Sequence, residues 1–296
     1  MRCENGVDQA EGLRRLLVLN QTQVITVVAG KARVGRTSAT INLAAALAHS
    51  GKGVLVLDEN HGPNNLLDCM GLSARHDLLD VAQGKCLVSQ AVQTAMGFSV
   101  LPTARAMHAL AKLNRAGQQR LQYALAEASS SAEVLLVDAL MPVMGQVEAH
   151  AVISPSLASG AALLVVVEAT PSGITESYAL IKRLAQYETH QQFGIAINRA
   201  DNEEAALTVF ENMAKVARRN LSVRLEFVGL IPPNLRPHPH HPAAKNFPAA
   251  SLMNAYLRLS QKLLRLPMQL DDVENGASAV IQNLLRQSPY LSALLQ

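Results

Sequence analysis

Apolar residues in this chain gather into short continuous runs. Runs rich in Val, Ile and Leu occupy residues 24–29, 54–58, 98–101, 134–138, 163–168, 194–198 and 226–231. Each has the length of a strand, and a strand apolar on both sides must be covered on both faces. Between the runs lie longer Ala-, Leu-, Gln- and Arg-rich stretches with helical spacing, among them 38–50, 118–128 and 175–187, and a last one at 249–264. Strands alternating with helices predict an α/β fold, a mostly parallel, doubly wound sheet with helices on both faces. In such sheets ligands sit at the carboxyl ends of the strands, so the residues after each run are where chemistry is to be sought. Segments 1–21 and 266–296 stand outside the pattern, which leaves 22–265 as the α/β domain.

Composition narrows the function classes. The chain has 296 residues, 49% of them hydrophobic and 17% charged, which is too apolar for a disordered protein. A net charge of +3, 3% aromatic residues and no Trp provide neither a strong polyanion field nor a stacking surface, so no specific nucleic-acid partner is expected. The three cysteines, Cys3, Cys69 and Cys86, form no CxxC, and Cys69 and Cys86 read as small core residues. This suits a reducing, cytoplasmic setting. The opening MRCENGVDQAEG is not patterned as a secretory signal, and the apolar run 161–167 is too short to span a bilayer. His238, His240 and His241 stand among prolines and read as a solvated loop.

The densest motif follows the first run. Gly30, Lys31, Ala32, Arg33, Val34, Gly35, Arg36, Thr37 and Ser38 have the spacing of a Walker A loop, GxxxxGK[ST], with Arg36 in place of the lysine. Backbone N–H groups and the helix start after such a loop favour a phosphate, and Thr37 is placed to hold Mg²⁺. With Lys31 early in the loop, the segment resembles the deviant Walker A motif, KGGxGKT, of the MinD/ParA ATPases. The resemblance implies ATP and Mg as cofactors. It also gives Lys31 a catalytic role, reaching the nucleotide across an ATP-dependent homodimer. Ala32 and Arg33 replace the two glycines of that motif, and side chains there interfere with close phosphate approach. Arg36 replaces a compact point charge by a planar fork.

Further segments resemble the same family in chain order. Residues 58–68, DENHGPNNLLD, are similar to its switch I stretch DxDxGxxNLD. Asp58 then stands near Mg²⁺, while Asn60 replaces the Asp that positions the attacking water and cannot accept a proton as a carboxylate does. Asp138 takes the Walker B place, so Thr37, Asp58 and Asp138 form the implied metal set. Ala139, Leu140, Met141 and Pro142 replace a Gly-containing switch II. Asn198 and Arg199 match the adenine-reading position, and Pro232, within GLIPPN, matches the loop beside the base.

Three segments narrow the resemblance to the flagellar-number regulators of the FlhG (FleN) branch. They are DQAEGLR at 8–14, DLLDVAQGKCLVSQAV at 77–92 and PSGITESYALIKRL at 171–184. In that branch the N-terminal segment binds FlhF, an SRP-type GTPase, and stimulates its GTP hydrolysis. Gln9 is then the candidate to orient the attacking water in trans. Asp8 would cap the following helix, and Leu13 and Arg14 would dock on the partner. Flagellar switch or C-ring proteins, or a flagellar transcription regulator, are further expected partners. The expectation is a MinD-like ATP-binding regulator of flagellar number, placement and assembly, with weak or absent hydrolysis. The alternatives are a ParA-type partition ATPase and a nucleotide-free adaptor on an ATPase fold. Residues 266–296 read as an amphipathic helical tail. It carries few cations for a membrane-surface helix, so peripheral contact with the inner face of the membrane stands beside docking on the domain.

Overall fold

The structure is a computed structural model, and it describes residues 22–61, 63–109, 112–140, 162–187, 191–231 and 250–266. Among the described residues eight strands form one sheet: β1 (Gln23–Val28), β2 (Val54–Asp58), β3 (Gln93–Ala95), β4 (Phe98–Pro102), β5 (Val134–Asp138), β6 (Ala162–Glu168), β7 (Gln192–Asn198) and β8 (Arg224–Ile231). Their order is β3-β4-β2-β5-β1-β6-β7-β8. Every neighbouring pair is parallel except β3 with β4, a short antiparallel hairpin at one edge.

Along each central strand successive side chains enter two separate cores. Val24, Leu55, Leu135, Leu163 and Val165 face one layer, and Ile25, Val56, Leu136, Leu164 and Val166 face the other. The first layer is closed by α3 (Leu78–Ala82), α4 (Val88–Ala91), α6 (Arg115–Ser129), α7 (Pro171–Tyr187) and α8 (Glu203–Leu221). The second is closed by α1 (Arg36–His49), α2 (Leu66–Cys69) and α9 (Ala250–Leu263). A further helix, α5 (Ala104–Ala109), follows β4. Ile25 and Val165 are fully buried, and each such side chain stabilises the fold by roughly 1.5–3 kcal/mol. The seven expected runs are all strands, and the doubly wound α/β architecture is the one present.

Other expectations meet different outcomes. Cys69 and Cys86 are half-buried at the borders of the cores and do not belong to the fully buried set. Within the segment 77–92, Asp77 caps α3 through Leu79 N and Asp80 N, and Arg105 forks both Asp77 and Asp80. The segments 1–21 and 267–296 lie outside the described residues, and with them Asp8, Gln9, Leu13 and Arg14. So do Pro232 and the histidines of 238–241. Among the described residues no helix is long and apolar enough to cross a membrane.

Candidate functional site

The five central strands, β2-β5-β1-β6-β7, end side by side. Asp58 is the register partner of Asp138, and Glu168 that of Asn198. The loop 30–38 leaves the middle strand, β1, between these two pairs. The parallel register alone therefore brings together residues that are far apart in sequence.

The loop backbone has the shape of a phosphate cradle. Gly35 precedes α1 at φ 94°, in the left-handed region, and no side chain caps the helix start. No acidic residue occupies the first turn, so the partial positive charge of the helix start is uncompensated there. A Cβ at Gly35 would lie 2.5 Å from Asn198 Nδ2. Arg33 has φ 62°. A non-glycine residue held there costs roughly 1–2 kcal/mol. The position keeps a glycine's backbone conformation without the glycine.

On the β2–β5 side the loop meets acids. Arg36 Nε donates to Asp138 Oδ1 at 2.7 Å, and Thr37 Oγ1 donates to Asp138 Oδ2 at 2.8 Å. Arg36 Nη2 also donates to Asn60 Oδ1. Asn60 Nδ2 donates to Asp138 Oδ2 at 2.7 Å and to Asp58 Oδ1 at 3.0 Å. Leu66 N donates to Asp58 Oδ2 at 2.9 Å. Burial first, and the Asp138 charge second, push the Asp58 carboxyl up to about 6.

On the β6–β7 side the loop meets Glu168. Lys31 Nζ lies 3.3 Å from Glu168 Oε2 and donates to Ser172 Oγ at 2.9 Å. Arg199 pairs with Glu168 Oε1, and its Nη2 donates to the Arg33 carbonyl at 2.9 Å. Burial would raise the Glu168 carboxyl, but the bonds from Arg199 and Lys31 outweigh it and hold it below the usual range. Asn198 Nδ2 donates to Val34 O at 2.7 Å, and Asn198 Oδ1 accepts from Arg199 N. The carboxamide expected at a nucleotide base is thus engaged with the loop backbone.

Four participants escape a motif reading. Thr40 Oγ1 donates to Asp138 Oδ1 at 3.4 Å from one turn into α1. Glu59, 2% exposed, accepts from Leu140 N at 3.1 Å, which ties the end of β2 to the end of β5. Glu168 and Ser172 receive Lys31. The strand-end position of Glu168 was the available signal, since the ends of parallel strands are where ligands collect. Ser172 lies within the family-like segment 171–184, which does not point to it in particular, and nothing in sequence marks Thr40.

Phosphate loop, strand-end acids and flanking helices define a P-loop nucleotide-binding domain. A family model, the CobQ/CobB/MinD/ParA nucleotide binding domain, matches residues 25–236, and the chain belongs to that family. Within it, the chain is 31% identical to the antiactivator FleN of Pseudomonas aeruginosa over 221 residues, 74% of this chain and 77% of FleN. It is 26% identical to the flagellum site-determining protein YlxH of Helicobacter pylori, covering 71% of this chain and 69% of YlxH. The solved cell division ATPase MinD of Pyrococcus furiosus superposes with a TM-score of 0.58 at 21% identity, covering 83% of this chain and 100% of MinD. This likeness concerns the fold.

The loop has the helix start and the charges of Lys31, Arg33 and Arg36 that a nucleotide's phosphates call for, with the Asn198 carboxamide packed against Gly35. The implied Mg²⁺ set fits less well. Thr37 and Asp138 are adjacent, but both Asp138 oxygens already accept bonds from Arg36, Thr37, Thr40 and Asn60.

Proposed function

We propose that this chain is a nucleotide-switched regulator of flagellar number and placement. Its α/β domain, 22–265, would bind ATP at the loop 30–38, and residues 1–21 would act on an SRP-type GTPase of the FlhF kind. The observation that carries this reading is the 31% identity to FleN across 74% of the chain, joined to the strand-end site. The tail 266–296 would supply a peripheral membrane or partner contact.

The switch would run through Lys31. Its ammonium is engaged with Glu168 and Ser172 in the single chain, so reaching a nucleotide in a second copy requires leaving both. Hydrolysis is slow in this reading, because Asn60 stands where a carboxylate would orient water and its amide is already bonded to Asp58 and Asp138. Losing one such positioning contact costs about 10²–10³ in rate.

Deletion of residues 1–20 tests the partner half. Stimulation of the FlhF-type GTPase should vanish, and cells carrying the truncated chain should show altered flagellar number. Unchanged stimulation would end the partner assignment. Calorimetric titration with ATP tests the other half, since a chain that binds no nucleotide would be an adaptor on a retained fold.

A further inference from the structure

Arg36 and Asn60 are two departures from the family pattern, and they touch each other. Arg36 Nη2 donates to Asn60 Oδ1, while Asn60 Nδ2 donates to Asp138 and Asp58. The carboxamide is therefore oriented at both ends, acceptor toward the cation and donor toward the acids. Asp138 is fully buried, and the Arg36 side chain is 15% exposed. An Asp at position 60 would face Asp58 and Asp138 with no proton to donate, and three clustered carboxylates repel one another in a way that a divalent cation relieves. Asn at 60 removes one negative charge and adds a donor. Arg36 supplies a fixed positive charge that does not titrate. Only two of its five N–H groups serve Asp138 and Asn60, and the others have no partner among the described residues.

Mg²⁺ requires near-octahedral oxygen ligation and gives up water reluctantly. To reach Asp138 it would have to displace Arg36 and Asn60 from lone pairs they already hold. A phosphate needs no such displacement, because the remaining guanidinium N–H groups can receive it. We propose that Arg36 and Asn60 together replace the divalent cation of the phosphate site, so that this chain binds nucleoside di- and triphosphates with little dependence on Mg²⁺. The proposal rests on the nucleotide-binding part of the reading above and specifies how the charge is met.

The test titrates the full-length chain with a fluorescent ADP analogue, once with Mg²⁺ and once with EDTA. The wild type should change its Kd by less than about threefold between the two, and Arg36→Lys/Asn60→Asp should bind at least about tenfold more tightly with Mg²⁺. A tenfold Mg²⁺ dependence in the wild type would overturn the proposal and leave the nucleotide switch intact. Absence of binding in both buffers would overturn the nucleotide reading as well. Mn²⁺ paramagnetic resonance on the ADP-saturated wild type reads the metal directly, independently of how the double variant folds. No bound Mn²⁺ supports the replacement, and a stoichiometric bound signal refutes it.

Discussion

Asn198 holds the carbonyl oxygen of Val34 at 2.7 Å across 164 positions of sequence. The bond clamps the phosphate loop to the end of β7, with Gly35 leaving just enough room for the carboxamide. Asn198→Asp would turn a donor into a negatively charged acceptor facing a carbonyl. Leaving such a buried group unsatisfied costs about 1–3 kcal/mol or more. Urea denaturation should show that loss, and nucleotide affinity should fall with it. A variant as stable as wild type would mean that the clamp contributes nothing.

Arg33 carries a left-handed backbone at φ 62°. Arg33→Gly removes that strain at the expense of a more flexible unfolded chain, and the net expectation is a gain of about 0.5–1 kcal/mol. Arg33→Val, β-branched, should lose more than 1 kcal/mol or so for the same reason in reverse. The Arg199 bond goes to the backbone carbonyl of residue 33 and survives both changes. The order of the three urea midpoints, Gly above Arg above Val, is the check.

Asp58 has a folded-state carboxyl raised to about 6 from 3.8, by burial first and Asp138 second. A raised carboxyl favours folding below its unfolded value, and that contribution is lost as pH rises through about 6. Two units correspond to about 3 kcal/mol. Asp58→Asn cannot ionise, so its stability relative to wild type should improve by that order between pH 4 and pH 7. Lost bonds from Leu66 N and Asn60 N shift the comparison equally at both pH values. A stability gap independent of pH would contradict the assignment.

Glu168 behaves oppositely. Its carboxyl is held low by Arg199 and Lys31, so its contribution is present above the unfolded value and lost as pH falls through the folded one. Glu168→Gln should therefore be less stable than wild type at pH 7, and the two should converge as acid protonates the carboxyl in the folded state as well as the unfolded one. Lys31 and Arg199 are partly exposed, so added salt should narrow the gap at pH 7 as well. Guanidinium titrations across pH and salt measure both effects.

The doubly wound sheet is legible in sequence because its central strands, β2, β5 and β6 above all, are buried on both faces and read as apolar runs. β3 escapes that reading, since Gln93, Thr94 and Ala95 form an edge hairpin with no apolar signature. Helix α8 shows its ends through composition, with Asn202 as cap, Glu203 and Glu204 in the first turn, and Arg218 and Arg219 in the last. Apolar runs alone pass over those signals. At the site, the order of Gly35, Thr37, Asp58 and Asp138 is motif-like and visible. The pairing of Lys31 with Glu168 is not, because a contact between residues 137 positions apart is made by strand order and leaves no local pattern.

Gly30 meets helix α7 with no side chain between them. A Cβ there would lie 2.3 Å from the carbonyl of Glu176 and 2.4 Å from Ser177 N. Side-chain contacts yield by changing rotamer, whereas main chain against main chain has no such slack. The loop and α7 are thus meshed like gear teeth. The helix is itself packed on β6 and against α8, so the loop cannot move toward it without shifting main chain. The seat of the phosphate loop is therefore set by where α7 lies on the sheet, and no side chain stands between them to adjust it.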